Sequence, residues 1–208
     1  MKTSKHDIRT RSDELAPSRN FWLKQNRYYY EDQKKYFKFL IPEDRSVLEL
    51  GCGTGWLLAS MKPKRGLGID ISPHIIEQAE KDYPDLEFKI ADLEMLDCPD
   101  ETFDFIILSD TIGLLMDVEN TLHNLHRFCT SATRIVISYY NFLWEPLLKL
   151  GERIGQKMPQ QQQNWLSIAD ITNLLYLADF QIIKKERRLL FPKNIPVLST
   201  FINRYIAP

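Results

Sequence analysis

A chain of 208 residues, 44% of them apolar, can bury one substantial core, and the length suits a single domain over residues 1–208. Its 27 basic and 28 acidic side chains leave a formal charge of −1, so no overall field draws the chain to nucleic acid. Three scattered cysteines, Cys52, Cys98 and Cys129, form no Cys-x-x-Cys pair, which argues against a disulfide framework and a zinc site, and no run approaches the roughly 18 apolar residues of a membrane span.

The opening MKTSKHDIRTRSDEL carries charge but no apolar stretch, so it is not a secretory leader, and residues 1–20 read as a polar, mobile tail. The expected compartment is the cytoplasm, with contact at the inner face of a membrane left open. Residues 21–42 are too aromatic for a tail. Tyr29, Tyr36, Phe37 and Leu40 fit one helix face ahead of Pro42, which predicts a helical cap lying on the rest of the chain.

From Ser46 onward, short apolar strands alternate with helical stretches. Strands are predicted at 46–50, 66–70, 86–90, 103–109 and 134–140, and helices from about Trp56, over 73–82 and near 118–128. Nearly continuous apolar strands separated by helices describe a mostly parallel, doubly wound α/β sheet covered on both faces, a three-layer Rossmann-like arrangement with its core at 44–140. Ser72 ahead of Pro73 is a capping pair for the helix at 73–82.

After Tyr140 the alternation stops. An apolar stripe through Leu143, Trp144, Leu147, Leu148 and Leu150 predicts a helical lid inserted over 141–165, over which an acceptor would be recognised. Its stripe suits an apolar or lipid-linked ligand, a membrane surface or a homodimer contact through 141–158, and the sequence does not choose. Ser167 and Asp170 have capping-box spacing at the start of a helix over 166–180. QIIKKERRLLF reads as a strand or hairpin, and residues 195–206 as either a terminal helix or a last strand.

The chemistry gathers at V-L-E-L-G-C-G-T-G. Gly51, Gly53 and Gly55 permit a tight turn and close ligand approach, and they open a helix whose N-terminal amides would face the ligand. A dinucleotide fingerprint counted from Gly51 needs its third glycine at the position held by Trp56, and no Gly-Lys-Ser/Thr follows for a triphosphate loop. Asp70 ends the second strand 19 residues beyond Gly51, the spacing of a ribose-binding carboxylate. Glu49, two residues before Gly51, would repel a pyrophosphate but tolerate an ammonium or sulfonium group. A ligand with a nucleoside at one end and positive charge at the other, such as S-adenosylmethionine, fits these residues better than NAD. The structural alternatives are that Glu49 holds the loop and that Asp70 caps a helix.

On these residues the chain resembles the class I S-adenosylmethionine-dependent methyltransferases over about residues 44–140. The resemblance implies that Glu49, Gly51, Cys52, Gly53 and Gly55 hold the methionine part of the cofactor, and that Asp70 binds the ribose. It further implies that Ile71 packs on the adenine, that Asp92 bonds its amino group with the Leu93 amide near the ring, and that Ser109 and Asp110 line the transfer site. S-adenosylhomocysteine would be the product, and the chemistry of the donor requires no metal. Asp110 is the better base candidate; its alternative is to cap the turn into TIGLL. Of Tyr139 and Tyr140, strand alternation lets one face substrate, and Tyr140 is the catalytic candidate. Tyr29, in the Tyr28–Tyr30 run, either closes over the cofactor or packs its helix. His123 and His126 share a helix face and read as packing or surface groups. A looser resemblance, to bacterial methyltransferase modules beside or fused to family 2-type glycosyltransferases, implies a glycan- or lipid-linked acceptor methylated at oxygen and a glycosyltransferase partner. SDTIG at the fourth strand's end is not the Asn/Asp-Pro-Pro-aromatic signature of DNA amino methylation. An NAD-dependent oxidoreductase and a non-catalytic methyltransferase-like partner domain remain the rivals.

Overall fold

The computed structural model describes residues 5–96, 101–140, 142–159 and 164–188. Five strands, β1 (Ser46–Leu50), β2 (Arg65–Asp70), β3 (Glu87–Ile90), β4 (Phe105–Ser109) and β5 (Arg134–Ser138), form one sheet in the order β3-β2-β1-β4-β5, and every neighbouring pair is parallel. This is the doubly wound α/β arrangement that the apolar strand pattern predicts. The order reverses between β1 and β4, where Glu49 stands beside Gly68 on one side and Ile107 on the other.

Strand alternation divides the core in two. Val47, Phe88 and Ile107 face Phe37, Leu57, Leu58 and Ile76. Those partners come from α3 (Arg27–Leu40), α4 (Trp56–Ser60) and α5 (Pro73–Asp82). On the opposite face Leu48, Leu50, Leu67, Ile69, Ile106 and Leu108 meet Leu122, Leu125 and Ile171. These belong to α6 (Val118–Asn124), the 3₁₀ turn that continues it to Phe128, and α8 (Ile168–Leu177), following α7 (Glu145–Arg153). The caps act as their residue types require: Ser72 Oγ accepts from Ile75 N at 3.2 Å, and Ser167 with Asp170 completes both bonds of a capping box.

Two expectations change. The tail expected over 1–20 is helical from Lys5 on, as α1 (Lys5–Leu15) and, after a 3₁₀ turn, α2 (Arg19–Gln25). No residue of α1 is buried, so an apolar stripe could not announce it. Ion pairs from Lys5 to Asp92 at 2.6 Å and to Glu94 at 3.0 Å hold it instead, together with Asp13, which accepts a hydrogen bond from Ser72 Oγ and lies 3.2 Å from His74 Nδ1. The strand or hairpin read over 181–191 is also absent from its described part, 181–188. Ile183 there is 71% exposed, and the charged residues turn to α3, where Glu186 accepts from Tyr36 and Arg188 lies 3.7 Å from Asp32. Cys98 and the alternatives for 195–206 lie outside the described residues. No described helix is long and apolar enough to cross a membrane.

Candidate active site

A cavity of about 170 Å³ lies at the strand-order reversal, beyond the carboxyl ends of β1, β2 and β4. A sheet wound both ways leaves a crevice there, because its crossovers depart to opposite faces. Of the residues chosen from sequence, Glu49, Gly51, Cys52, Gly53, Asp70, Ile71, Asp92, Leu93, Ser109, Asp110 and Tyr140 all line it.

Two do not. Gly55 has φ +75°, and a Cβ there would fall 2.6 Å from the ring of Phe88, so its bareness lets the loop pack on β3 rather than reach a ligand. Tyr29 stands behind the wall, where its hydroxyl donates to Asp110 Oδ2 at 2.7 Å and its ring stacks on Tyr140 with centroids 5.6 Å apart.

The glycine loop folds back on the sheet. Gly51 N and Cys52 N both donate to Ile69 O, at 2.7 and 3.0 Å, Gly55 N donates to Cys52 O, and Gly53 N donates to Asp70 Oδ2 at 3.0 Å. Gly51 has φ +73°, and a Cβ there would meet Thr111 Oγ1 at 2.4 Å. The expectation that the opening amides of α4 face a ligand fails at Leu58, whose N–H donates to Glu49 Oε2 at 2.9 Å.

Glu49 therefore both holds the loop and faces the cavity. It is 2% exposed, and burial pushes its carboxyl up to about 8, against the downward pull of the Leu58 bond; Asp70 adds to the rise and Arg19 opposes it. Asp70 is committed too, with Oδ2 on Gly53 N and Oδ1 accepting from Ser72 N at 3.1 Å. Asp92 binds Lys5 and accepts from Glu94 N at 3.0 Å.

Asp110 follows β4 in a left-handed backbone conformation, φ +55°, with its N–H on Ser138 O at 2.9 Å. Such a conformation is uncommon outside glycine and gathers at functional positions. Its Oδ2 also receives Gln33 Nε2 at 3.3 Å, and Gln33 reaches on to Ser138 Oγ at 3.2 Å, which in turn bonds Ser109 Oγ. Asp110 Oδ1 and Gln33 Oε1 are buried with no hydrogen-bond partner among the described residues. Burial raises the Asp110 carboxyl, while the bonds from Tyr29 and Gln33 and the charge of Lys157 hold it back. Burial likewise carries the Tyr29 and Tyr140 hydroxyls well above their ordinary value.

Sequence reasoning missed the cavity's outer wall, built by Lys5, Ile8, Ser12, Arg19, Trp22 and Leu23 from the first two helices and by Met158 after α7. It also missed Gln33, which a helical register from Phe37 would have placed on the sheet side. His126 is a packing group, its Nε2 2.7 Å from Ala178 O and its ring stacked on Phe180, while His123 is exposed.

A family model described as a methyltransferase domain matches residues 22–185. A demethylmenaquinone methyltransferase of Chlorobaculum parvum is 28% identical over 134 residues, 60% of this chain and 56% of that protein. A phosphatidylethanolamine N-methyltransferase of Cereibacter sphaeroides is 29% identical over 98 residues, 44% of this chain and 48% of that protein. The chain spans about half the length of these relatives. Among solved structures, an S-adenosylmethionine-dependent methyltransferase of Thermotoga maritima superposes with a TM-score of 0.72 at 22% identity, covering 88% of this chain and 86% of that one. Magnesium protoporphyrin IX methyltransferase of Synechocystis, solved with S-adenosylhomocysteine, gives 0.65 at 18% identity, covering 88% and 93%.

Proposed function

Since the chain belongs to the methyltransferase-domain family, we propose that it transfers a methyl group from S-adenosylmethionine to a small-molecule or a lipid- or glycan-linked acceptor, at oxygen. The observation that carries this reading is one continuous cavity joining Glu49, Gly53, Asp70 and Asp92 to Ser109, Asp110 and Tyr140. The residues suit the donor: bare glycine backbone, a carboxylate beside it that tolerates positive charge, and an acid at the end of β2 for the ribose. When bound, the donor supplies an electrophilic methyl on a sulfonium sulfur.

The chain's own work is positioning and proton handling. Holding the reacting atoms close and in line can supply much of the barrier reduction. Tyr29 and Gln33 fix Asp110 Oδ2, which leaves the unpartnered Oδ1 to accept the hydrogen of an acceptor hydroxyl and then its proton. Burial makes that carboxylate a stronger base than an exposed one. Tyr140 forms the wall beside it.

Residues 141–158 are the acceptor side. Phe142, Leu147, Leu150 and Ile154 are exposed there, an apolar surface suited to a lipid-linked acceptor, a membrane face or a second copy. The relatives named for demethylmenaquinone and phosphatidylethanolamine support a lipid-like acceptor. The cytoplasmic side of a membrane, beside a glycosyltransferase, is the setting that fits this reading.

Calorimetric titration with S-adenosylmethionine, S-adenosylhomocysteine and NADH tests the donor. Both adenosyl ligands are expected to bind and NADH to give no heat. Binding of NADH alone would turn the assignment to an oxidoreductase. A screen of hydroxylated lipids and glycans, followed by S-adenosylhomocysteine formation, tests turnover, and binding with no turnover across the screen would favour a partner domain.

A further inference from the structure

Two oxygens in the cavity wall, Asp110 Oδ1 and Gln33 Oε1, are buried with no hydrogen-bond partner among the described residues, and Gln33 as a whole is 8% exposed. A buried acceptor left bare is costly, so each of these oxygens calls for a hydrogen from outside the fold.

The neighbours of Gln33 fix which way its amide points. Its Nε2 faces three oxygens, the Tyr29 hydroxyl at 3.2 Å, Ser138 Oγ at 3.2 Å and Asp110 Oδ2 at 3.3 Å. An ionised carboxylate only accepts, so turning the amide over would set oxygen against oxygen. The nitrogen therefore belongs to the network, and the carbonyl oxygen is the free end. Asp110 is held in the same way, with Oδ2 taken by Tyr29 at 2.7 Å and by Gln33. Oε1 shares a carbon with Nε2, and Oδ1 shares one with Oδ2. The hydrogen bond between the two groups thus keeps both bare oxygens within reach of two adjoining hydroxyls on one ligand.

A hydroxyl carries a single hydrogen. The hydroxyl that turns to Asp110 Oδ1 cannot also satisfy Gln33 Oε1, which needs a second donor beside the first. We infer that the acceptor is a vicinal diol, one hydroxyl methylated against Asp110 and its neighbour held by Gln33 Oε1, so that Gln33 is the specificity residue for the acceptor. The inference rests on the oxygen transfer proposed above. In that step the acceptor oxygen bonds the methyl carbon as the carbon–sulfur bond breaks, the bonding pair leaves with sulfur, and the hydroxyl proton passes to Asp110 Oδ1. The product is a monomethyl ether, which has one hydrogen left for two oxygens.

Matched probes test the second hydroxyl. Octylcatechol and its saturated analogue octylcyclohexanediol, an aromatic and a sugar-like diol, are compared with the octylphenols and octylcyclohexanols that each keep one of the hydroxyls, and with octylcyclohexylamine. With S-adenosylmethionine and the full chain, one diol is expected to exceed its single-hydroxyl counterparts at least about 100-fold in kcat/KM and to give only the monomethyl ether, because a site built to bond a hydroxyl rejects the analogue lacking it. The diol that responds identifies the ring as aromatic or sugar-like. Gln33→Leu slows every acceptor through Asp110, so the ratio is the readout, and it should fall to within about 5-fold. Should that variant not fold, the wild-type ratios decide alone. Diols no better than their counterparts, a preference that survives Gln33→Leu, or a preference for the amine, whose one nitrogen offers two hydrogens, would overturn the inference. Turnover of none of the probes by a chain that binds S-adenosylmethionine would overturn it and leave the donor standing, whereas failure to bind S-adenosylmethionine would sink the transfer reading as well.

Discussion

Glu49 and Asp110 line one cavity, both are carboxylates pushed upward by burial, and on the function proposed above they meet opposite partners. With its carboxyl raised to about 8, Glu49 is largely protonated at neutral pH in the empty site, and a cation arriving beside it favours the ionised form. Binding of S-adenosylmethionine at pH 7 should therefore release a proton, seen as a binding heat that varies with the ionisation enthalpy of the buffer, and Glu49→Gln should abolish that variation. The same shift fixes a sign for stability. Protonated Glu49 is fully accommodated below its unfolded value near 4.5, and that contribution is lost as pH rises toward 8, so Glu49→Gln should flatten the fall in melting temperature between pH 5 and 8. Asp110→Asn keeps the shape and removes the proposed base. Donor affinity should hold within about 3-fold while turnover of an acceptor found by screening falls about 10²- to 10⁴-fold; unchanged turnover would leave Asp110 as a turn residue only.

At the scale of elements, α1 and α2 are the cover of the site, and they are fastened differently from the rest of the protein. The helices on the sheet bury apolar side chains, whereas α1 buries none and depends on Lys5 with Asp92 and Glu94, and Asp13 with Ser72 and His74. Partly exposed pairs of this kind contribute little each and weaken as salt screens them. A cover held so lightly should open often. Trp22 and Trp56 line the cavity and give an optical signal, so stopped-flow fluorescence should show S-adenosylhomocysteine leaving several-fold faster at 1 M than at 0.05 M salt, and about 10-fold faster when Lys5 and Asp13 are both replaced by Ala. Rates independent of both changes would mean that the cover does not control exchange.

For the whole molecule, one ligand bridging three strand ends and the cover should stabilise the fold as a unit. S-adenosylhomocysteine at about 100 times its Kd adds about 2.7 kcal/mol, which corresponds to a rise of roughly 5–10 °C in melting temperature for a domain of this size, and NADH should add none. The sheet and its ligand-bearing end are legible in the sequence because both rest on short-range rules: continuous apolar runs, glycines before a helix, an acid ending the next strand. Gly51 and Asp70 could be chosen on those rules alone, whereas Asp110 needed the family resemblance beside its place at a strand end. Arg19, Lys5 and Gln33 could not, because their importance comes from residues they meet far along the chain, Gly53, Asp92 and Asp110. Residues 181–188 mislead for the same reason, since two isoleucines suggest a strand while the charges that follow are matched to α3. That match reaches Asp110. Arg188 caps the ring of Tyr36 at 4.1 Å, one turn along α3 from Gln33, which steadies Asp110. Residues 181–188 thus act as an outer strut on the helix that carries Tyr29 and Gln33, and cutting them away should unsettle Asp110 without removing a single residue from the cavity.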